Sequence, residues 1–178
     1  MKLTANWRNE IRERWGIRVL SRYNLPVGEV LWVTRCSKTK NGIHYGTPKD
    51  LYVSPINRYF YAYVEQRGLP YGVLSDKYGL HMDDEEMEYY DVHPKHLTEY
   101  DKRVLGELIR EKACRRGFSE LVFYNPSPLM SVPYFEMLYY SGLGIFYTTV
   151  LNLGLERRLP STYCAPVTQC APNDSTLR

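Results

Sequence analysis

The chain has 178 residues, 44% of them hydrophobic and 24% charged, a globular composition that excludes disordered, collagenous and disulfide-dense classes and fits one core needing no metal or disulfide staple. Its net charge of +3 is too small to announce nucleic-acid binding by itself, so any basic site has to be local. No run approaches the roughly 18 consecutive apolar residues of a membrane span, and the charged start MKLTANWRNEIRERWGIR lacks the apolar centre of a signal peptide, so the expectation is a cytoplasmic protein without a membrane partner.

Trp7, Ile11, Trp15 and Val19 recur at steps of four and predict a helix over about residues 4–22. Asn24 to Gly28 breaks it, and Glu29 to Arg35, rich in β-branched and aromatic residues, reads as a buried strand. That strand empties into Cys36-Ser37-Lys38-Thr39-Lys40, and residues 41–50 read as a loop. Leu51 to Ser54 leads into a helix that starts at Pro55 and runs to about Arg67, where Gly68 stops it. A second short strand over residues 70–75 ends in Asp76-Lys77-Tyr78-Gly79-Leu80-His81, and a polar acidic stretch follows. From Pro94 to Arg116 the pattern is helical, with Leu97, Val104, Leu105, Leu108 and Ile109 on one side. Ser119 to Tyr124 is a third strand closed by Asn125-Pro126-Ser127-Pro128, Val132 to Tyr140 a Tyr/Met-rich helix, and Gly144 to Leu151 a fourth strand.

Strands alternating with helices at this spacing predict an α/β fold. We expect a single domain over residues 1–160 with a mainly parallel central sheet flanked by helices. Residues 161–178 form a Pro/Ser/Thr-rich tail with few large apolar side chains, expected to be poorly ordered and to add little stability. Cys36 and Cys114 stand alone, and Cys164 and Cys170 lie in the tail without a metal-binding or redox spacing. His81, Asp83, Asp84, Glu85, Glu86, His93 and His96 are read as a solvated acidic loop in preference to a divalent-metal site. No metal and no cofactor is therefore expected.

In open α/β sheets ligands bind beyond the carboxyl ends of the strands. Here three predicted strand ends are polar, and two of them combine serine hydroxyls with lysines, a pairing suited to phosphate or carboxylate oxygens. Neither is a Walker loop, because the phosphate-wrapping glycines are absent. Solvated turns are the plain alternative.

Three blocks carry a resemblance: Cys36-Ser37-Lys38-Thr39-Lys40; Asp50-Leu51-Tyr52-Val53-Ser54-Pro55; and Leu74-Ser75-Asp76-Lys77-Tyr78-Gly79-Leu80 with Tyr90-Asp91 beyond it. Over about residues 29–125 they resemble an uncharacterised microbial and phage family, a domain of unknown function related more loosely to the YaaA peroxide-stress proteins. Asp76 stands where that family usually has a small residue. The segment before residue 24 and the tail lie outside the resemblance. YaaA-like proteins are associated with DNA binding and protection under oxidative stress. Similar Cys-Ser-x-x-Lys blocks occur in archaeal enzymes that modify deazaguanine bases in transfer RNA. The resemblance thus implies a nucleotide or nucleic-acid partner.

The candidate catalytic residues are Lys77, Lys38, Cys36, Asp76 and His81. Lys38 and Lys77 at the sheet's carboxyl edge suit phosphate binding or, if desolvated, acid or nucleophile chemistry. Cys36 beside Lys38 is either a stabilised thiolate nucleophile or a buried small hydrophobe. Asp76 and His81 offer acid and base groups, with His81 alternatively a loop-bonding residue. Candidate binding residues are Ser37, Lys40, Ser54, Asn57, Ser75, Tyr78, Gly79, Tyr90 and Asp91. Tyr78 and Tyr90 have rings suited to stacking on a base, but with 17 tyrosines in the chain a core role is equally open. The leading expectation is an enzyme acting on a nucleotide or nucleobase by group transfer or N-glycosidic chemistry. The alternatives are a non-catalytic DNA-binding, stress-protection protein using its arginine-rich helices, and a structural or interaction domain. The sequence is silent on oligomeric state.

Overall fold

The computed structural model describes residues 3–21, 24–26, 29–92 and 94–151. In chain order the elements are α1 (Trp7–Trp15), β1 (Arg18–Val19), β2 (Leu31–Arg35), β3 (Tyr45–Gly46), α2 (Pro48–Leu51), α3 (Pro55–Gln66), β4 (Tyr71–Ser75), β5 (Gly79–Met82), β6 (Met87–Glu88), α4 (Glu99–Arg115), β7 (Glu120–Tyr124), α5 (Val132–Ser141) and β8 (Gly144–Thr148). Six strands make one sheet in the order β1-β8-β7-β2-β4-β5. Every neighbouring pair is parallel except β4 with β5. The expected α/β architecture with a mainly parallel sheet and flanking helices is therefore present. β3 and β6 form a separate two-stranded antiparallel ribbon.

The sheet is covered on both faces, which is why β2 and β4 are buried residue after residue and not in alternation. Consecutive residues of β7 show the two layers. The Tyr124 ring stacks on Phe60 of α3 at 6.1 Å, whereas Phe123 meets Tyr134 and Phe135 of α5 at 6.0 and 5.8 Å. Trp32 packs on Tyr63 of α3, and Trp15 of α1 packs on Phe135. α4 lies against α5 and β5.

Topology positions the site. From the central β2 the chain crosses by α3 to β4 on one side, then returns through α4 to β7 on the other side. Beyond β2 it enters the α3 layer, and beyond β7 the α5 layer. The carboxyl ends of β2 and β7 thus part to opposite faces, the arrangement that opens a crevice at a switch point.

The expected loop of residues 41–50 instead holds β3 and most of α2, and three further expectations are corrected. The first helix does not reach residue 22: Gly16 takes a left-handed conformation (φ 65°) that ends α1, and Arg18–Val19 then pairs with Phe146–Tyr147 as an edge strand. Residues 76–81 are not a simple strand-end turn, because Gly79–Met82 folds back on β4 as an antiparallel hairpin that buries His81. The helix expected from Pro94 divides into a short 3₁₀ turn over Pro94–His96 and α4, whose start at Glu99 is set by a reciprocal Thr98–Asp101 capping box. The expected tail of residues 161–178, with Cys164 and Cys170, lies outside the described residues, as does His93. Among the described residues no helix is long and apolar enough to cross a membrane.

Candidate functional site

The backbone N–H of Cys36 donates to Leu74 O at 2.8 Å, extending the β2–β4 ladder by one step and bringing the residue beyond β2 beside the end of β4. Asp76, the first residue past β4, is buried. Its Oδ2 accepts from Cys36 Sγ at 3.1 Å and from Tyr134 OH of α5 at 3.3 Å, and the sulfur and the phenol are themselves 3.4 Å apart. Burial, reinforced by the Asp76 charge, pushes the Cys36 thiol up to about 12. The sulfur at Asp76 is thus a protonated donor at neutral pH. Tyr134 is held well above the ordinary phenol range, first by burial and then by Cys36 and Asp76.

Ser75 organises the adjoining layer. Its Oγ donates to Tyr90 OH at 2.8 Å and accepts from the backbone N–H groups of Lys77 and Tyr78 at 3.2 and 3.0 Å, which fixes the tight turn into β5. Tyr52 OH also donates to Tyr90 OH at 3.2 Å, and the Tyr78 and Tyr90 rings meet edge to face at 5.5 Å. Burial drives the Tyr90 hydroxyl far above its ordinary range. Gly79 has a left-handed φ of 71°, and a Cβ there would come within 2.8 Å of Leu105 O.

Ser54 caps α3 by accepting from Asn57 N at 3.2 Å, and the buried Asn57 side chain donates to Arg35 O at 2.9 Å. These two residues tie the start of α3 to the end of β2. Ser37 Oγ donates to Thr39 O at 2.6 Å within its own turn. Lys40 Nζ donates to Tyr90 O and lies over the Tyr90 ring at 4.0 Å.

The fold therefore joins Cys36, Ser75, Asp76 and Tyr90 into one buried cluster, with Lys40 attached through Tyr90. Lys38, Lys77 and Asp91 are exposed. The Lys77 Nζ is 3.5 Å from Glu88 and 4.9 Å from the Tyr78 ring, and Tyr78 and Glu88 raise its pKa. His81 is fully buried. Its Nε2 lies 2.8 Å from Glu85 O and burial lowers its pKa, so a neutral ring donates to that carbonyl. In the acidic stretch Asp84 pairs with Arg116 and Glu85 with Lys112. Among the described residues no three His, Cys, Asp or Glu side chains converge to hold a metal ion.

Tyr134, Tyr52 and Arg35 belong to this region but not to the candidates drawn from sequence. Tyr134 arrives from α5, 58 residues beyond Asp76, and the only sequence signal for it was the abundance of tyrosine. Arg35 had a signal, a charged residue ending an apolar strand.

No curated protein and no solved structure matches the chain. Residues 31–126 match the family of unknown function DUF6884, in accord with the resemblance to an uncharacterised family over about residues 29–125. That segment runs from β2 to just beyond β7 and holds Cys36, Ser75, Asp76 and Tyr90, and the chain belongs to the DUF6884 family.

Proposed function

We propose that the protein is an enzyme that acts on a nucleotide or nucleobase, with Asp76 as the group that supports cleavage or exchange of an N-glycosidic bond. The observation that carries this reading is a carboxylate buried at the carboxyl end of β4 and bonded to the Cys36 thiol and the Tyr134 phenol.

When a glycosidic C1′–N bond breaks, its electron pair leaves with the base and positive charge grows on the sugar ring. A carboxylate in a low-dielectric surround stabilises that charge far more than one in water. In the hydrolytic version water supplies hydroxide to C1′ and a proton to the departing nitrogen, so the reaction needs no other reactant. The thiol and phenol fix the orientation of the carboxylate, while the half-buried Tyr78 ring offers a surface for a base. Lys38, Lys40 and Lys77 supply positive charge around the same strand ends.

The non-catalytic DNA-binding reading has weaker support. On α4 and at its C-cap, Arg103, Lys112, Arg115 and Arg116 engage Glu99, Glu85, Glu111 and Asp84, which fits a solvated helix better than a groove left open for phosphates.

The test is incubation of the full chain with nucleosides, nucleoside 5′-monophosphates and short DNA and RNA oligomers, with free base measured by liquid chromatography and mass spectrometry. Release by wild type that is abolished in Asp76→Asn is the expected result. No release from any of these substrates, or equal release by the variant, overturns the reading.

A further inference from the structure

Arg35 ends β2, the central strand, and its placement follows from the register. Thr34 lies opposite Tyr124 of β7, which brings Arg35 level with the fully buried Asn125 at the start of the turn after β7. On its other side Arg35 pairs with Leu74, one residue before Ser75. The guanidinium therefore originates at the end of β2, between the carboxyl ends of β4 and β7. Its charge is felt by the Tyr134 hydroxyl, the group that donates to Asp76.

A guanidinium carries five N–H donors and a permanent charge, and in a partly buried place it ordinarily meets a carboxylate. Arg35 does not. Its hydrogen bond, from Nη1 to Cys36 O, is 3.5 Å long, and no acidic side chain among the described residues forms an ion pair with it. Its Nε is sealed from solvent without an acceptor. An unsatisfied donor in such a position costs stability, and the rest of this half-buried guanidinium keeps the planar fork that an oxyanion matches.

We infer that Arg35 is the phosphate-binding residue of the site, so that the substrate is a phosphorylated nucleotide unit and not a free base or nucleoside. The inference rests on the nucleotide reading above for the identity of the ligand, but the anion site itself stands on Arg35 alone. The exposed Lys38 lies three residues further along the chain and supplies a second positive charge at the same strand end. Asn125 is committed to Ser131 Oγ at 2.7 Å and to Ser127 O at 3.3 Å, so it shapes the neighbouring turn and leaves the anion to the guanidinium.

The test is calorimetric titration of the full chain with inorganic phosphate, and with matched pairs of nucleosides and their 5′-monophosphates. Wild type is expected to bind phosphate and to prefer each monophosphate to its nucleoside by at least about tenfold. Arg35→Met should lose the preference, and Arg35→Lys should restore only part of it, because an ammonium cannot fork. Should Arg35→Met fail to fold, the wild-type pairs and the lysine variant still decide. Wild type with no phosphate binding and no preference overturns the inference, as does a preference that survives in the methionine variant. Phosphate binding that depends on Arg35 without base release upholds the anion site and removes the glycosidic reading. Base release without phosphate preference does the reverse.

Discussion

Cys36 and Asp76, 40 residues apart in sequence, meet with the sulfur 3.1 Å from Oδ2. Each closes a different parallel strand, and the pair makes sense only as thiol and carboxylate. With its pKa pushed from 9.0 to about 12 by burial and then by the Asp76 charge, Cys36 keeps its proton and donates it to the carboxylate.

The thiol should therefore be slow to alkylate in the native chain at about pH 8 and fast in denaturant, since the thiolate is the reactive form. The same shift predicts an alkaline loss of stability. A group whose folded pKa is raised stabilises fully below its unfolded value, here 9.0, and loses that contribution as pH climbs towards about 12. Melting temperatures across this window should fall less steeply for Cys36→Ser than for wild type, because serine donates without titrating. Parallel curves for the two proteins would contradict the assignment.

His81 predicts a loss at the acid end. It is neutral, buried and held by Glu85 O, while the Tyr52 ring packs against it and Glu85 and Lys112 lie near it. Burial lowers its folded pKa below 6.5, so its contribution is present above that value and is lost as pH falls through the lowered folded value. Carboxylates titrate mainly below this range. Melting curves between about pH 7 and 5 should thus be flatter for His81→Gln, which keeps an N–H donor, than for wild type. An equal slope would refute the role.

Gly79 is a backbone requirement at the β4–β5 turn. Alanine would have to adopt a φ of 71° and place its methyl 2.8 Å from Leu105 O. Gly79→Ala should cost about 2 to 4 kcal/mol in chemical unfolding, as strain and overpacking combine. A loss below about 1 kcal/mol would mean that α4 moves aside at little cost.

Lys77 separates binding from folding. Its ion pair with Glu88 is at the surface, where such pairs contribute little, so Lys77→Met should melt with wild type. If Lys77 holds a nucleotide phosphate or sugar oxygen, the same variant should bind a 5′-monophosphate at least about tenfold more weakly in calorimetry. Unchanged affinity would take Lys77 out of the site and leave anion recognition to Arg35.

Local sequence determined most of the elements because their causes are local. The apolar runs of β2, β4 and β7, the Ser54 cap with Pro55 opening α3, and Gly142 ending α5 are recognisable without any partner strand. Polar strand ends likewise pointed to Cys36, Ser75 and Asp76. Only tertiary structure decided β1 and β5. Two residues of edge strand exist because β8 offers unpaired backbone groups, and β5 exists because Ser75 fixes the turn and α4 covers the hairpin. Strand order decided the site as well. Placing β2 between β4 and β7 brings Cys36 to Asp76, sets Arg35 level with Asn125, and lets α5 deliver Tyr134 to the same carboxylate. Contacts between residues 40 and 58 positions apart depend on how strands pair across the whole sheet, and that pairing is settled by burial of both faces at once, not by any one segment's pattern.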